Sequence, residues 1–406
     1  MVGALVLFTL LGQQPIEGSY VGSLAVAGST LRLGLEIKAS GGELSCELTS
    51  IDQGYKKLPA AVAERNGSTL KFAVPALGIS FEGQQSEDGQ QVSGKFTQGL
   101  TYDLTFQRVA AIPRPVRPQE PKAPFPYRSI EVRFPGGDAG VVLAATLTIP
   151  VSVPRGVIVL LAASGPYNRD QEMLAHRPFL VLADVLARFG FAVLRYDKRG
   201  VGGSTGDFKV ADIPAFARDA ASAVAFLRKR DDVGNRIALL GHSEGGLIAP
   251  IVAAEDSRLV GVALLAAPAV TGEQILRRQI PALGFPEAML KSIEASLPND
   301  AYLRYFWSYD PLPTLSKVQC PVLLIGGELD LQVAADQNMP LLEETLRKAG
   351  NKAITSRRLP RLNHLLQTAQ TGKQQEYGQI EETIAPVVLE EVKAWLEKLF
   401  PTRAKQ

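Results

Sequence analysis

Cysteine and histidine are scarce in this chain, two and three respectively among 406 residues. Cys46 and Cys320 lie far apart and match no metal-ligand spacing, so they read as small buried hydrophobes rather than a disulfide. With so few histidines, neither a metal nor another cofactor is expected. An excess of charge of one sign is also missing: 43 Lys and Arg against 41 Asp and Glu leave +2. Nothing in that balance calls for nucleic acid or an anionic membrane as partner. The apolar run at the start, Ala4 to Leu11, is far too short to span a bilayer, so stable membrane insertion is not expected. It resembles the core of a secretory signal, but no positive residues precede it and no cysteine follows for lipid attachment. Export to the periplasm or the outside is the expectation. The alternative is a cytoplasmic protein in which the run packs as a short strand.

What is present is the composition of an ordinary soluble enzyme, 46% hydrophobic and 21% charged, in a chain too long for one core. Residues 19–109 read as strands. TLRLGLEIK sets Leu31, Leu33, Leu35 and Ile37 on one face, and ELSCELTS, TLKFAVP, GISFEGQ, QVSGKFTQ and LTYDLTFQR repeat the period between turns such as SGG, NGS and EDG. An antiparallel barrel or sandwich of about eight strands follows from that pattern. Residues 110–127, with prolines at 113, 115, 118, 121, 124 and 126, read as an extended linker. From 128 to 402 the pattern changes. The runs GVIVLLAA, FAVLRYD, RIALLG, VGVALLAA and PVLLIGG lack alternation, as strands buried on both faces do. Helical segments separate them: HRPFLVLADVLARFG, ADIPAFARDAASAVAFLRKR and QNMPLLEETLRKAG. This is a mostly parallel sheet with helices on both sides. YRSIEVRF and VVLAATLTIP add an edge hairpin and ITSRRLP an eighth strand. A helical cap is expected as an insert at about 271–315.

The sharpest motif is Gly-His-Ser-Glu-Gly at 241–245. At 37 glycines in 406 residues, Gly-x-Ser-x-Gly arises by accident in roughly one such chain in five, so position must decide its meaning. Here RIALLG is a strand, LIAPIVAAE a helix, and Ser243 sits at the turn between, where a strained backbone can present a nucleophile. A serine needs a base. His242 is adjacent and should point away from the hydroxyl, a packing residue. His176 opens the first helix of the sheet domain, before the serine, and reads as a cap or a wall. His364, in RLPRLNHLLQ after the last strand, satisfies the order serine, acid, histidine. Asp330 in GGELD is the candidate acid, with Glu328 as rival. The oxyanion requires two backbone N–H donors: Glu244, after the serine, and one from the loop SGPYNRD. Pro166 cannot donate, which leaves Ser164 and Gly165, with Ala163 a third choice.

SGPYNRD, HRPFLVLADVLARFGFAVLRYDKRGVGGSTGDF, GHSEGG, YDPLPTLSKVQCPVLLIGGELDLQV and LNHLLQTAQTG together resemble bacterial α/β-hydrolases of the carboxylesterase and serine-aminopeptidase-like branch, which join a β-rich N-terminal domain to the hydrolase domain. The likeness covers most of residues 125–400. It implies the α/β-hydrolase fold and a triad of Ser243, Asp330 and His364. Arg199 and Asp170 read as braces for loops. The expected reaction is hydrolysis of a small-molecule carboxylic ester of short to medium acyl chain through an acyl-serine. The insert stretch YLRYFWSYD, with Tyr302, Tyr305, Phe306, Trp307 and Tyr309, reads as core more than as pocket, and favours apolar acyl groups if it covers the serine. A peptidase is the alternative enzyme and would need a carboxylate for the substrate amine, such as Glu273 or Glu294. A non-catalytic protein holding a ligand in the barrel is the alternative of another class. The sequence leaves the oligomeric state open.

Overall fold

A computed structural model describes residues 15–26, 29–40, 43–60 and 62–401. The run Ala4 to Leu11 lies outside the described residues. The chain forms two compact units, Met1–Val116 and Arg117–Gln406. No helix among the described residues is long and apolar enough to cross a membrane.

Among the described residues, the first unit is one antiparallel sheet of nine strands: β1 (Gly18–Val26), β2 (Ser29–Ser40), β3 (Glu43–Ser50), β4 (Lys56–Pro59), β5 (Val62–Asn66), β6 (Thr69–Val74), β7 (Ile79–Gln85), β8 (Gln91–Gln98) and β9 (Leu100–Val109). Their order is β4-β3-β2-β1-β9-β8-β7-β6-β5, and β5 lies against β3, so the sheet curls round on itself. The sequence pointed to about eight strands. The outermost pair, β4 and β5, are four and five residues long, too short to announce themselves by alternation. On β2 the alternation does its work: Leu33, Leu35 and Ile37 are all buried. Phe72, Phe81, Phe96 and Phe106 fill the interior with them, Phe72 stacked on Phe81 at 5.2 Å and Phe81 edge-on to Phe106 at 5.3 Å. Cys46 belongs to this core, and burial pushes its thiol up to about 11. Proline-rich residues just after β9 lie on the same unit, with the Tyr55 hydroxyl donating to the Ile112 carbonyl (3.3 Å) and Arg114 over the Tyr55 ring.

The second unit is an eight-stranded sheet of β10 (Tyr127–Pro135), β11 (Val142–Pro150), β12 (Val157–Leu161), β13 (Ala192–Tyr196), β14 (Ile237–His242), β15 (Gly261–Leu265), β16 (Val322–Gly327) and β17 (Ile354–Leu359). The order is β10-β11-β13-β12-β14-β15-β16-β17. β10, β11 and β13 pair antiparallel, and every later pairing is parallel. Strands β12 to β16 are buried along their whole length, which explains their unbroken apolar runs. The major helices are α1 (Pro178–Arg188), α2 (Ile213–Leu227), α3 (Gly245–Glu255), α4 (Gly272–Ala282), α5 (Ala288–Ser296), α6 (Ala301–Ser308), α7 (Leu312–Leu315), α8 (Ala335–Lys348), α9 (Gln374–Tyr377) and α10 (Pro386–Leu399). Helices α4 to α7 form the insert between β15 and β16.

The proline-rich residues that open this unit are anchored to it. Arg117 donates to the carbonyls of Leu174 (3.0 Å), Ala175 (3.2 Å), Gly378 (2.8 Å) and Ile380 (3.2 Å). Gln119 bonds the backbone at Thr383 and Ile384, and Glu120 pairs with Arg177. Arg117→Ala leaves buried carbonyls without their donor and should lower unfolding free energy by about 2–3 kcal/mol. A urea midpoint unchanged from wild type would show the anchor to be idle.

Candidate active site

Strand β14 lies at the middle of the sheet, between β12 and β15. Ser243 follows it directly at φ 55°, a left-handed conformation that costs energy for any residue with a Cβ. The turn is tied down on both sides: Ser243 N–H donates to the Leu265 carbonyl (2.8 Å), and Gly246 N–H donates to that of Ser243 (2.8 Å). Gly241 and Gly245 allow the close crossing. A Cβ on Gly241 would sit 2.0 Å from the Gly245 carbonyl oxygen, and one on Gly245 would sit 2.1 Å from that of Leu161. Helix α3 begins at Gly245, so its positive end faces the serine.

His364 Nε2 lies 3.0 Å from Ser243 Oγ, and its Nδ1 lies 2.8 Å from Asp330 Oδ2. The other Asp330 oxygen accepts from the backbone N–H groups of Gln332 (2.9 Å) and Val333 (2.8 Å). An aspartate so held accepts the Nδ1 proton, which leaves Nε2 free to accept the serine proton. Glu328 is exposed and faces Arg358 at 3.6 Å, away from this line. The structure therefore brings Ser243, His364 and Asp330 together and leaves Glu328 outside.

On the donor side, Ala163 N–H is already used: it donates to Gln171 Oε1 at 2.9 Å. That removes Ala163 from the choices. Ser164 and Glu244 both line the cavity beside Ser243, whereas Gly165 is not among the lining residues. Among the described residues neither the Ser164 nor the Glu244 N–H has a partner.

His242 packs in the interior, but its polar contacts were not legible in the sequence. Its Nε2 lies 2.8 Å from the His364 carbonyl, which can only accept, so Nε2 carries the proton and Nδ1 accepts from Gln171 Nε2 at 2.9 Å. Gln171 and His242 thus connect the Ala163 amide to the backbone of His364. His176 is buried between Thr383 Oγ1 (3.0 Å), the Tyr377 carbonyl (3.0 Å) and Gln367 (3.0 Å), far from Ser243 in role. Asp170 pairs with Arg195. Arg199 spans Asp219 (2.7 Å) and Asp138 (2.6 Å), bracing α2 to the loop after β10.

Burial pushes both His176 and His242 down from 6.5 to about 4. Between those values the unfolded chain binds a proton at each site and the folded chain does not. Stability is therefore full above pH 6.5 and falls as the pH drops towards 4, by roughly 2 kcal/mol per histidine at pH 5. Urea midpoints at pH 7 and pH 5 check this; equal midpoints would contradict it.

The cavity over Ser243 holds about 300 Å³, at the small end for ligand sites. Pro268, Ile275, Leu276, Ile293, Leu303 and Phe306 give it an apolar wall, and Gln279, Gln332 and Tyr302 add polar groups. The insert aromatics divide. Tyr302 and Phe306 line the cavity, whereas Tyr305 and Tyr309 stack on one another at 5.1 Å outside it.

Residues 177–303 match the serine aminopeptidase S33 family. Esterase EstD of Thermotoga maritima is 29% identical over 280 residues, 63% of this chain and 66% of that protein. A monoglyceride lipase homolog of Monkeypox virus is 24% identical over 177 residues, 42% of this chain and 61% of that protein. Both matches span less than two thirds of the relative's own length. Among solved structures, the Pyrococcus furiosus esterase Pf2001 superposes with a TM-score of 0.50 at 16% identity, over 70% of this chain and 97% of that one. This strand order, with a serine on the turn after the central strand, gives the chain the α/β-hydrolase fold, and residues 177–303 are similar to the serine aminopeptidase family.

Proposed function

We propose that the protein is a serine carboxylesterase acting on small esters of short to medium acyl chain. The observation that carries this reading is the unbroken line Ser243–His364–Asp330, with the serine on a left-handed turn at the wall of a small apolar cavity. In this reading Ser243 Oγ attacks the ester carbonyl as His364 Nε2 takes its proton. The oxyanion is held by the N–H groups of Glu244 and Ser164, aided by the positive end of α3. Collapse expels the alcohol, protonated by His364, and leaves an acyl-serine. A water activated by the same histidine then releases the acid. Asp330 keeps the histidine tautomer correct and stabilises its charged form throughout.

An ester is favoured over a peptide with a free amine. Glu244, the carboxylate at the cavity wall, is already bonded to Lys198 Nζ (2.6 Å) and to the Tyr302 hydroxyl. Glu273 and Glu294 both pair with Arg277 on the cap surface. The barrel reading loses ground for a similar reason, since aromatic side chains fill that interior. A panel of nitrophenyl esters beside aminoacyl anilides tests the choice. Turnover of acetyl to octanoyl esters with little or none of the anilides is expected. Faster cleavage of the anilides would make the protein a peptidase.

A further inference from the structure

Lys198, which is buried, and Tyr302, which is partly buried, are polar groups that the steps above do not use, and both converge on Glu244 and the 163–164 segment. Lys198 Nζ, on the loop after β13, donates to Glu244 Oε1 (2.6 Å) and to the Ala163 carbonyl (2.6 Å). Its side chain is 4% exposed and that of Glu244 1%, and the ammonium also rests 4.6 Å from the centre of the Phe216 ring. On the other side, Tyr302 of α6 touches both Glu244 Oε2 and Ser164 Oγ (3.0 Å). A phenol has one proton, and a carboxylate can only accept, so Tyr302 donates to Glu244 and the Ser164 hydroxyl donates to Tyr302. Burial and the Glu244 carboxylate hold the Tyr302 hydroxyl well above the usual phenol range, so it remains a donor at any working pH.

The result is a closed figure. Glu244 and the 163–164 segment are joined by an ammonium on one side and a phenol on the other, and the two N–H groups assigned to the oxyanion belong to Glu244 and Ser164. A buried ion pair is weak evidence of stabilisation, because desolvation offsets the attraction, so its placement is what matters. We infer that Lys198 and Tyr302 are positioning residues that fix the spacing of the two oxyanion donors, and that Tyr302, carried on the cap, makes that spacing depend on the cap being in place. The inference rests on the esterase reading above. It also accounts for a glutamate beside the nucleophile in a cavity whose other walls are mainly apolar.

Tyr302→Phe keeps the ring on the cavity wall and removes only the bridge. Steady-state kinetics on a nitrophenyl ester should show kcat lowered roughly tenfold to a hundredfold, with KM little changed, because a misplaced donor weakens the transition state more than the ground state. The inhibition constant of a trifluoromethyl ketone, whose adduct oxyanion occupies the same hole, should rise by the same factor as kcat/KM falls. Lys198→Met should act in the same direction; should it fail to fold, Tyr302→Phe alone decides. A raised KM at unchanged kcat and unchanged ketone affinity would make Tyr302 a lining residue only and overturn the inference. Ser243→Ala on the same ester separates the two levels. If it is inert while Tyr302→Phe is fully active, only the positioning role falls. If Ser243→Ala itself retains turnover, the esterase reading falls.

Discussion

Ser243→Ala and His364→Ala should each lower ester turnover roughly ten-thousandfold or more, and the double variant should be little worse than either. The reason is geometric. With Nε2 of His364 3.0 Å from Ser243 Oγ, neither group has a task without the other. A double variant far below both singles, or full activity in either single, would break the assignment. Asp330→Asn should fold normally and lose less, since the asparagine still accepts the backbone N–H groups of Gln332 and Val333 while it no longer carries the charge that supports protonated His364. Glu328→Gln should be silent, its side chain being exposed beside Arg358. Hydrolysis rates with a single nitrophenyl ester at fixed pH suffice for all five variants.

Gly245→Ala should be as damaging by another route. The added Cβ would stand 2.1 Å from the Leu161 carbonyl oxygen and 2.7 Å from its carbon, backbone atoms of the buried central strand β12. Neither side can yield without shifting the sheet or the start of α3. Gly241→Ala meets the Gly245 carbonyl at 2.0 Å and should behave alike. A loss of about 4 kcal/mol or more is expected, with activity lost in whatever protein folds. Thermal unfolding and ester turnover check both. An alanine variant at either site with wild-type melting and turnover would mean that the turn is far looser than its contacts imply. Alanine at the exposed Gly67, which also has positive φ but no atom within 4 Å of the added Cβ, should cost only the milder backbone strain.

Much of the fold is legible in the amino-acid sequence alone. The parallel strands announce themselves because a strand buried on both faces has no polar face to alternate, and the serine turn because its two glycines are steric necessities. His364 could be found by scarcity and chain order. The residues that escaped are those whose meaning lies in convergence. Lys198 is one cation in the run DKRG, where the sequence drew attention to Arg199 instead. Arg199 proves to hold Asp219 and Asp138, while Lys198 points at the elbow glutamate. Tyr302 was one aromatic in a cluster of five, and periodicity could not say which of them face the cavity. Gln171 and His242 lie 71 residues apart in the chain, and their 2.9 Å contact leaves no local pattern in it. Short β4 and β5 were missed for want of length alone.

The most direct test of the central claim is reaction of the purified full-length protein with a fluorophosphonate, followed by peptide mass spectrometry. One phosphonyl adduct per chain, on Ser243, is expected, with ester turnover lost in step with labelling and no label on Ser243→Ala. Continued ester hydrolysis without an adduct on Ser243, or equal labelling of Ser243→Ala, would contradict it.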